Sequence, residues 1–323
     1  MYNINTDNIE FVNYIKVVRP KNLLIVALTQ ILIYLVYLKP LTSSDSSLIL
    51  DGNLWVLFVI DTVLIAAGGY IINDLMDQKA DLFNKPDKIY IGTDKITTIR
   101  GWIYYSVVII IGFIIAFIIA FSIAEIHLLL IYPFAVGLLF LYSVYFKRLP
   151  LIGNLIVSLF CAFVPGIIWY AEFDTINNHS FISNNVYDMI MHLFPVYISF
   201  AFLSTFIREI IKDIEDMEGD QKSDYQTLPI VVGVHVTMYI ALSLGIVLLG
   251  SYGFWFFGFS NARVIWIGII IVLGLIFPTI YILKSIFSAR STSDYSAISK
   301  MLKYLMIVSL FIFLYIPFIL KLT

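Results

Sequence analysis

Residues 53–81 read NLWVLFVIDTVLIAAGGYIINDLMDQKAD. The stretch opens with an almost wholly apolar run of about 20 residues, the length that an α-helix needs to cross a lipid bilayer. The run then ends in Asp74, Asp77 and Asp81, spaced i, i+3 and i+7. Because successive helical residues are rotated by about 100°, this spacing keeps the three carboxylates on one helix face. The stretch therefore predicts a membrane-spanning helix that ends in a stripe of carboxylates.

A second acidic stretch repeats this spacing later in the chain. Asp213, Asp216 and Asp220 again stand at i, i+3 and i+7, and they too follow a long apolar run. Carboxylates a few ångströms apart repel one another and raise each other's pKa unless a cation lies among them. The repeated pattern therefore predicts a pair of facing metal sites.

The composition places the whole chain in a membrane. Of its 323 residues 60% are hydrophobic and only 13% are charged, and its mean hydropathy is +0.93. These values lie far outside the range of soluble globular domains. The net charge of −2 shows no basic surface that would indicate a nucleic-acid partner. The single cysteine, Cys161, excludes a disulfide within the chain.

Nine apolar runs are long enough to span a bilayer, and only helices can do so without exposing unpaired backbone groups to lipid. We therefore predict an all-α polytopic protein in which residues 1–323 form one membrane domain, with nine helices in one bundle. The predicted spans are roughly 22–38, 53–73, 102–123, 126–146, 151–171, 189–208, 229–250, 264–283 and 304–320.

The positions of the basic residues predict the orientation. If the N-terminus is cytoplasmic, all but three of the 20 Lys and Arg residues fall on the cytoplasmic side, and the exceptions are Lys39, Arg263 and Lys321. Cytoplasmic loops carry this excess of basic residues in membrane proteins. We therefore expect an integral protein of the cytoplasmic membrane whose two acidic stretches face the cytoplasm.

The acidic stretches suggest a chemistry. Oxygen ligands without His or Cys suit hard cations, and Mg²⁺ in particular binds one or two carboxylates together with phosphate oxygens of a substrate. A diphosphate ester with an apolar tail, such as a polyprenyl diphosphate, fits this arrangement: its diphosphate would bind the metal ions and its tail would lie among the apolar helices. Bases that could hold its phosphates are predicted on the same side of the membrane: Lys79, Lys85, Lys88, Lys147, Arg208 and Lys212.

Two other readings compete with this one. The acidic stretches could be ordinary solvated loops, but a solvated loop has no reason to repeat one helical spacing. They could also be the ion path of a divalent cation transporter. Ion sites in transporters lie near the middle of the bilayer, whereas these stretches lie at the ends of apolar runs, so an enzyme is favoured.

Four motifs in order resemble the UbiA superfamily of intramembrane prenyltransferases, and the resemblance covers nearly the whole chain. The opening motif is Arg19-Pro20-Lys21-Asn22, and the first Asp-rich motif runs from Gly69 through Asn73-Asp74 to Asn84-Lys85-Pro86. The middle signature is Tyr142-Ser143 with Lys147, followed by Gly153-Asn154, and the last runs from Asp213 to Asp220 and on to Thr227-Leu228-Pro229.

The resemblance implies roles for individual residues. Asn73, Asp74, Asp77 and Asp81 would bind one Mg²⁺, and Asp213, Asp216 and Asp220 a second. Asp77, Asp81, Asp213 and Asp216 are the catalytic candidates. The diphosphate-binding candidates are Arg19, Asn22, Tyr142, Ser143, Lys147, Arg208 and Lys212. The chain departs from the family pattern where Lys88 is followed by Ile89, and where Asp224 replaces a glycine before Thr227.

The resemblance leaves the acceptor open. Residues 208–216 are most similar to the subgroup that transfers geranylgeranyl to geranylgeranylglyceryl phosphate in ether-lipid synthesis, and Lys212 or Lys222 would then hold the acceptor phosphate. An aromatic quinone precursor, 1,4-dihydroxy-2-naphthoate or 4-hydroxybenzoate, is the alternative acceptor. Neither case implies an obligate protein partner.

Asp61 is an acidic residue within a predicted span, and an acid in that position is a functional candidate by default. Its separation from Asp74 places it towards the opposite face of the membrane. We therefore expect Asp61 to be held by a hydrogen bond from a Tyr or Ser of a neighbouring helix.

Overall fold

The computed structural model describes residues 4–39, 48–84, 86–177, 184–255 and 264–320. Within these ranges the chain is helical, and the only β-type pairing is a single bridge between Ile91 and Ile96. The α-helices are α1 Ile4–Val17, α2 Pro20–Ile33, α3 Leu54–Met76, α4 Gln78–Asn84, α5 Thr98–Ser122, α6 Ile131–Val144, α7 Ile152–Ala171, α8 Phe173–Asn177, α9 Asn184–Lys222, α10 Leu228–Val232, α11 Val234–Ser251, α12 Val264–Ile271, α13 Phe277–Ser288 and α14 Thr292–Leu320.

Short 3₁₀ or π segments adjoin several of these helices. The π segments are Tyr34–Leu38 after α2 and Val272–Ile276 between α12 and α13. The 3₁₀ turns are Pro86–Lys88, Ile126–Leu130, Phe146–Arg148 and Tyr252–Trp255.

Nine helical stretches among the described residues are long and apolar enough to cross a membrane, as predicted. They are Pro20–Leu38, Leu54–Met76, Thr98–Ser122, Ile126–Val144, Ile152–Ala171, Ile190–Lys222, Val234–Ser251, Ile265–Ser288 and Thr292–Ile319. The fold is all-α, and the chain is an integral membrane protein.

Three predicted boundaries differ from the structure. The sixth span continues as α9 to Lys222 instead of ending near residue 208, and the ninth begins at Thr292 instead of 304. Apolar composition marks where a helix enters the membrane, but a helix continues beyond it as long as its charged side chains find partners or water. The first acidic stretch is not one helix either, because α3 ends at Met76 and α4 begins at Gln78.

The chain divides into two compact units. Unit 1 comprises Met1–Leu28, Leu50–Leu149 and Glu218–Tyr225, and unit 2 comprises Thr29–Ile49, Pro150–Met217 and Gln226–Thr323. In unit 1, α3 packs against α5 and α6. A β-carbon at Gly68 would lie 2.6 Å from Ile109 Cδ1, so this glycine permits the close approach of α3 and α5. The core of unit 1 consists of Val17, Ala67, Ile71, Ile72, Leu75, Ile91, Ile96 and Val108.

Unit 2 is held together by buried aromatic rings. The ring of Phe313 stacks on Tyr37 at 4.6 Å and on Tyr197 at 4.4 Å between centroids, and Phe194 meets Phe313 edge-on at 5.4 Å. The Tyr37 hydroxyl donates a 2.5 Å hydrogen bond to the Phe313 carbonyl, which satisfies the one polar atom of that buried ring. These contacts join the chain around residue 37 to α9 and α14.

Candidate active site

The first acidic segment lies where α3 gives way to α4. Asn73 and Asp74 stand in the last turn of α3, Asp77 lies at the junction with backbone angles of φ −90° and ψ 3°, and Asp81 is on α4. The amide of Asp77 donates to the Asn73 carbonyl and the amide of Asp81 to the Asp77 carbonyl, both at 2.9 Å. Because these bonds keep the helical i to i−4 spacing, the side chains remain grouped although the helix changes direction at Asp77.

Arg19 neutralises the first of these aspartates. Its Nη2 lies 2.7 Å from Asp74 Oδ1, and its guanidinium carbon lies 4.8 Å from the centre of the Tyr70 ring. Arg19 reaches this position from the junction of α1 and α2, where its φ of 52° is in the left-handed region. Asn22, one turn further on, donates its amide to the Arg19 carbonyl at 2.8 Å. The Arg19-Pro20-Lys21-Asn22 motif thus supplies a cation at the acidic segment.

Lys147 pairs with the next aspartate of the segment, Asp77. Its ammonium forms an ion pair with Asp77 Oδ1 and lies 3.4 Å from Asn73 Oδ1. The side chain is only 9% exposed, and burial lowers the pKa of Lys147 to about 7 even though Asp220 and Asp74 act to raise it. A buried carboxylate must be paired, so Lys147 and Asp77 stabilise each other in this structure.

Tyr142 and Ser143 precede Lys147 on α6. Ser143 is fully buried, and its Oγ has no hydrogen-bond partner among the described residues. Tyr142 is half-buried and has polar interactions of its own. Both residues lie in the last turn of α6, and Lys147 follows in the 3₁₀ turn Phe146–Arg148.

The end of the second acidic segment meets the first within unit 1. The amide of Gly219 donates to Asn84 Oδ1 at 2.9 Å, and the hydroxyl of Tyr225 donates to Asp77 Oδ1 at 3.2 Å. Asp220 lies between these two contacts in the sequence and is 8% exposed. Direct hydrogen bonds therefore link two parts of the chain that are far apart in the sequence.

Tyr225 is itself buried, with 6% of its surface exposed. Burial raises the pKa of Tyr225, and Arg148 beside it opposes that rise. The loop that carries it turns at Asp224, which adopts a φ of 62°. This is the left-handed conformation that glycine takes most easily, so Asp224 occupies a position whose backbone favours glycine.

Of the other predicted residues, Arg208, Lys212, Asp213 and Asp216 belong to unit 2, and Lys222 belongs to unit 1, where its ammonium pairs with Glu218 at 2.6 Å. Asp213 accepts a 2.8 Å hydrogen bond from Asn154 Nδ2, which orients one carboxylate oxygen. Arg208 and Lys212 both pair with Glu209, Lys212 at 3.6 Å. Asp216 follows Asp213 by one turn of the continuous helix α9, as predicted.

Arg208 has one buried N–H group without an acceptor among the described residues. Its Nε is buried and has no hydrogen-bond partner among the described residues, although its Nη1 is bound to Glu209. A buried guanidinium N–H left without an acceptor costs free energy. An anionic ligand at this position would remove that cost.

The donor atoms fit a hard cation. Asn73 Oδ1 and Asp77 Oδ1 both lie against the ammonium of Lys147, so a cation already stands among oxygen atoms of the kind that Mg²⁺ takes. In the part of the chain that the structure describes, no three His, Cys, Asp or Glu side chains converge on one point. The negative charges of Asp74 and Asp77 are neutralised instead by Arg19 and Lys147. The two predicted sets of metal ligands remain predictions.

Sequence reasoning missed three contacts in this region. Asn84 and Asn154 were recognised only as members of motifs, yet one binds Gly219 and the other Asp213. Tyr225 was not singled out at all. Its only sequence signal is its position between an acidic stretch and a Thr-Leu-Pro motif, which does not tell where the side chain points. Two of the predicted phosphate-binding bases, Lys85 and the side chain of Lys88, lie outside the described residues.

Asp61 does not behave as predicted. Its Oδ1 is buried on α3 without a hydrogen-bond partner among the described residues, so the expected bond from a Tyr or Ser is not made by this oxygen. The neighbouring hydroxyl of Tyr132 donates instead to the carbonyl of Ile109 at 2.8 Å.

Comparison with known proteins agrees with these observations. Residues 31–307 match the model of the UbiA prenyltransferase family. A digeranylgeranylglyceryl phosphate synthase from Methanobrevibacter smithii is 31% identical over 72% of this chain and 74% of its own length. The synthase of the same name from Methanosphaera stadtmanae is 29% identical over 92% and 96%.

Solved structures show the same fold. A structure from a study of digeranylgeranylglyceryl phosphate synthase in membranes superimposes with a TM-score of 0.62 at 24% identity, covering 94% of this chain and 97% of that one. A UbiA homologue from Archaeoglobus fulgidus bound to GPP and Mg²⁺ superimposes with a TM-score of 0.56 at 17% identity, covering 92% and 99%.

Proposed function

This chain belongs to the UbiA prenyltransferase family, and we propose that it transfers a polyprenyl group from a prenyl diphosphate to geranylgeranylglyceryl phosphate in a Mg²⁺-dependent reaction. One observation carries the proposal. In unit 1, the carboxylate of Asp74 is paired with the exposed cation Arg19 and that of Asp77 with the buried cation Lys147, at the point where the second acidic segment arrives. An array of alternating acids and bases at the end of apolar helices suits a metal-bound diphosphate with a hydrocarbon tail.

The acidic residues would hold two ions. Asn73, Asp74, Asp77 and Asp81 form the first oxygen set, and Asp213, Asp216 and Asp220 the second. Bound Mg²⁺ supplies positive charge that neutralises the departing diphosphate. The known structures of the Archaeoglobus fulgidus homologue with GPP and Mg²⁺ support this use of the metal.

The cations of the site would change partners when the donor binds. Arg19 and Lys147 are held by carboxylates in this structure. When the carboxylates turn to a metal, these bases become available to the phosphate oxygens, with Asn22, Tyr142 and Ser143 as further donors. Their charge then stabilises the diphosphate as its bond to C1 of the prenyl chain breaks.

The acceptor hydroxyl would attack C1 and lose its proton. A carboxylate is the base available in this region, and Asp77, Asp81, Asp213 and Asp216 are our candidates. The apolar helices exclude water, which would otherwise capture the allylic cation. The transfer thus forms one C–O bond, breaks one C–O bond and releases diphosphate.

Two findings favour a phosphorylated lipid as the acceptor. Relatives at about this level of similarity are named digeranylgeranylglyceryl phosphate synthase. In unit 2, Arg208 keeps a buried Nε without an acceptor, with Lys212 one turn further along α9. An acceptor that carries its own phosphate would satisfy that donor with a doubly charged group, whereas the aromatic precursors offer only a singly charged carboxylate.

The test uses purified protein with geranylgeranyl diphosphate and Mg²⁺. We expect diphosphate release and a product with geranylgeranylglyceryl phosphate, and no product with 1,4-dihydroxy-2-naphthoate or 4-hydroxybenzoate. Asp77→Ala and Asp216→Ala should abolish the reaction, while Asp87→Asn, at an exposed acid of the same region, should not. Full activity in both alanine variants would reject the proposal, and transfer to an aromatic acceptor alone would reject its acceptor.

The cation-transporter alternative has its own test. Uptake of Mg²⁺ into liposomes that contain the protein and no prenyl donor would favour transport. We also propose, from the distribution of basic residues, that the acidic segments face the cytoplasm. A cysteine introduced at Asp87 should then react with an impermeant thiol reagent only from the cytoplasmic side, in a background without Cys161.

A further inference from the structure

We propose that Tyr225 is a positioning residue of the diphosphate site, with its hydroxyl orienting Asp77 and its ring holding the cations of Lys147 and Arg148. The inference rests on the proposed function, because it assigns a role at the same site. Tyr225 lies outside the aspartate motifs. The proposed role is supported by the contacts of its hydroxyl, its ring and its backbone.

The hydroxyl of Tyr225 is hydrogen-bonded to Asp77, the central aspartate of the first segment. Tyr225 donates a hydrogen bond of 3.2 Å to Asp77 Oδ1, the same oxygen that Lys147 contacts. Asp77 stands at the junction of α3 and α4, outside both helices. A donor fixed on one oxygen leaves the other oxygen of the carboxylate directed and free to accept from a cation. Residues that orient a metal ligand in this way typically change metal affinity or activity by about 10- to 100-fold when they are removed.

The ring of Tyr225 lies against two basic side chains, Lys147 and Arg148. Lys147 Nζ lies 5.6 Å and Arg148 Cζ lies 5.2 Å from the centre of the Tyr225 ring. An aromatic face attracts a cation at this range, most strongly where water is excluded. Since the contact between the ring and Lys147 does not use the N–H groups of the ammonium, Lys147 can keep it while it binds phosphate oxygens.

The backbone joins Tyr225 to the second acidic segment. Its amide donates to the Asp220 carbonyl at 3.0 Å, and the left-handed turn at Asp224 brings the chain back over α4, where Asp224 pairs with Lys79 at 3.6 Å. The side chain of Tyr225 is therefore placed by the last aspartate of one segment and bound to the central aspartate of the other.

These contacts predict two separable losses. Removing the hydroxyl should weaken metal binding and leave the affinity for the diphosphate nearly unchanged. Removing the ring as well should also weaken the diphosphate. A residue that merely filled space would give neither pattern.

The experiment measures binding of Mn²⁺ to purified protein without prenyl donor, by the electron paramagnetic resonance signal of the free ion. Tyr225→Phe keeps the ring and should raise the dissociation constant of Mn²⁺ by about 10- to 100-fold. Tyr225→Leu should do the same and should in addition raise KM for the prenyl diphosphate, which Tyr225→Phe should leave within about twofold at saturating Mg²⁺.

Tyr132→Phe is the matched control. Tyr132 is also buried in unit 1 and also donates one hydrogen bond, which goes to the Ile109 carbonyl on α5. It should bind Mn²⁺ like the wild type. Unchanged Mn²⁺ affinity in Tyr225→Phe would overturn the proposal. So would a fall in the unfolding temperature of Tyr225→Phe well beyond that of Tyr132→Phe, because the role would then be structural.

The result can be told apart from a failure of the proposed function. If the wild-type protein binds Mn²⁺ through a site that depends on Tyr225 but transfers no prenyl group, the proposed reaction fails and the positioning role stands. If transfer occurs and Mn²⁺ binding ignores Tyr225, the reverse holds.

Discussion

Gly219 can be tested as the point where the two acidic segments come into contact. Its amide donates to Asn84 Oδ1 at 2.9 Å, and a β-carbon added at Gly219 would lie 2.3 Å from that oxygen, 2.4 Å from Cγ and 2.5 Å from Nδ2. Ordinary contacts between heavy atoms are about 3.5–4.0 Å. In Gly219→Ala, Asn84 or the end of α9 must therefore move by more than about 1 Å.

The cost can be worked from these distances. Loss of the hydrogen bond costs about 1 kcal/mol, and the steric displacement costs about 1–3 kcal/mol. Alanine in place of glycine within a helix stabilises the helix by about 1 kcal/mol, which offsets part of this cost. The net cost of about 1–3 kcal/mol, if it falls on the catalytic arrangement, corresponds to a roughly 5- to 150-fold loss of kcat/KM.

The assay is Mg²⁺-dependent release of diphosphate by purified variants. Asn84→Ala removes the side chain that the new methyl group would strike, so the double variant Gly219→Ala with Asn84→Ala should be less impaired than the sum of the two single losses. Gly250→Ala, where a β-carbon meets nothing within 4 Å, is the control and should retain full activity. Wild-type activity in Gly219→Ala, or strictly additive losses in the double variant, would refute the reasoning.

Three further predictions follow from the same contacts. Lys147→Met should reduce kcat at least about 100-fold, because it removes a phosphate ligand and leaves the buried Asp77 without its counter-charge; retention of activity in steady-state assays would contradict this role. Asn154→Ala should raise the Mg²⁺ concentration for half-maximal rate by about 10- to 100-fold, since it frees the carboxylate of Asp213, and a Mg²⁺ titration that matches wild type would argue against it. Asp224→Gly should keep full activity and raise the unfolding temperature slightly, because glycine adopts a positive φ at less cost; a fall in that temperature would show that the side chain matters more than the turn.

The sequence alone determined the class of fold and the periodicity of the second acidic stretch. A bilayer requires helices of a minimum length with internally paired backbones, so nine apolar runs were sufficient to predict nine spans. The aspartate spacing likewise predicted carboxylates on one face, and on the unbroken helix α9 this holds for Asp213, Asp216 and Asp220. Both predictions depend only on local periodicity, which every segment carries in itself.

Only the tertiary structure decided which group answers each carboxylate. The partners of Asp77, namely Lys147 and Tyr225, come from parts of the chain that share no periodicity with it. The break between α3 and α4 was equally hidden, because residues 73–81 could have continued as one helix. Periodicity states which face of a helix a side chain occupies, but the choice of partner depends on which segments pack together, and that choice follows from the free energy of the whole folded chain.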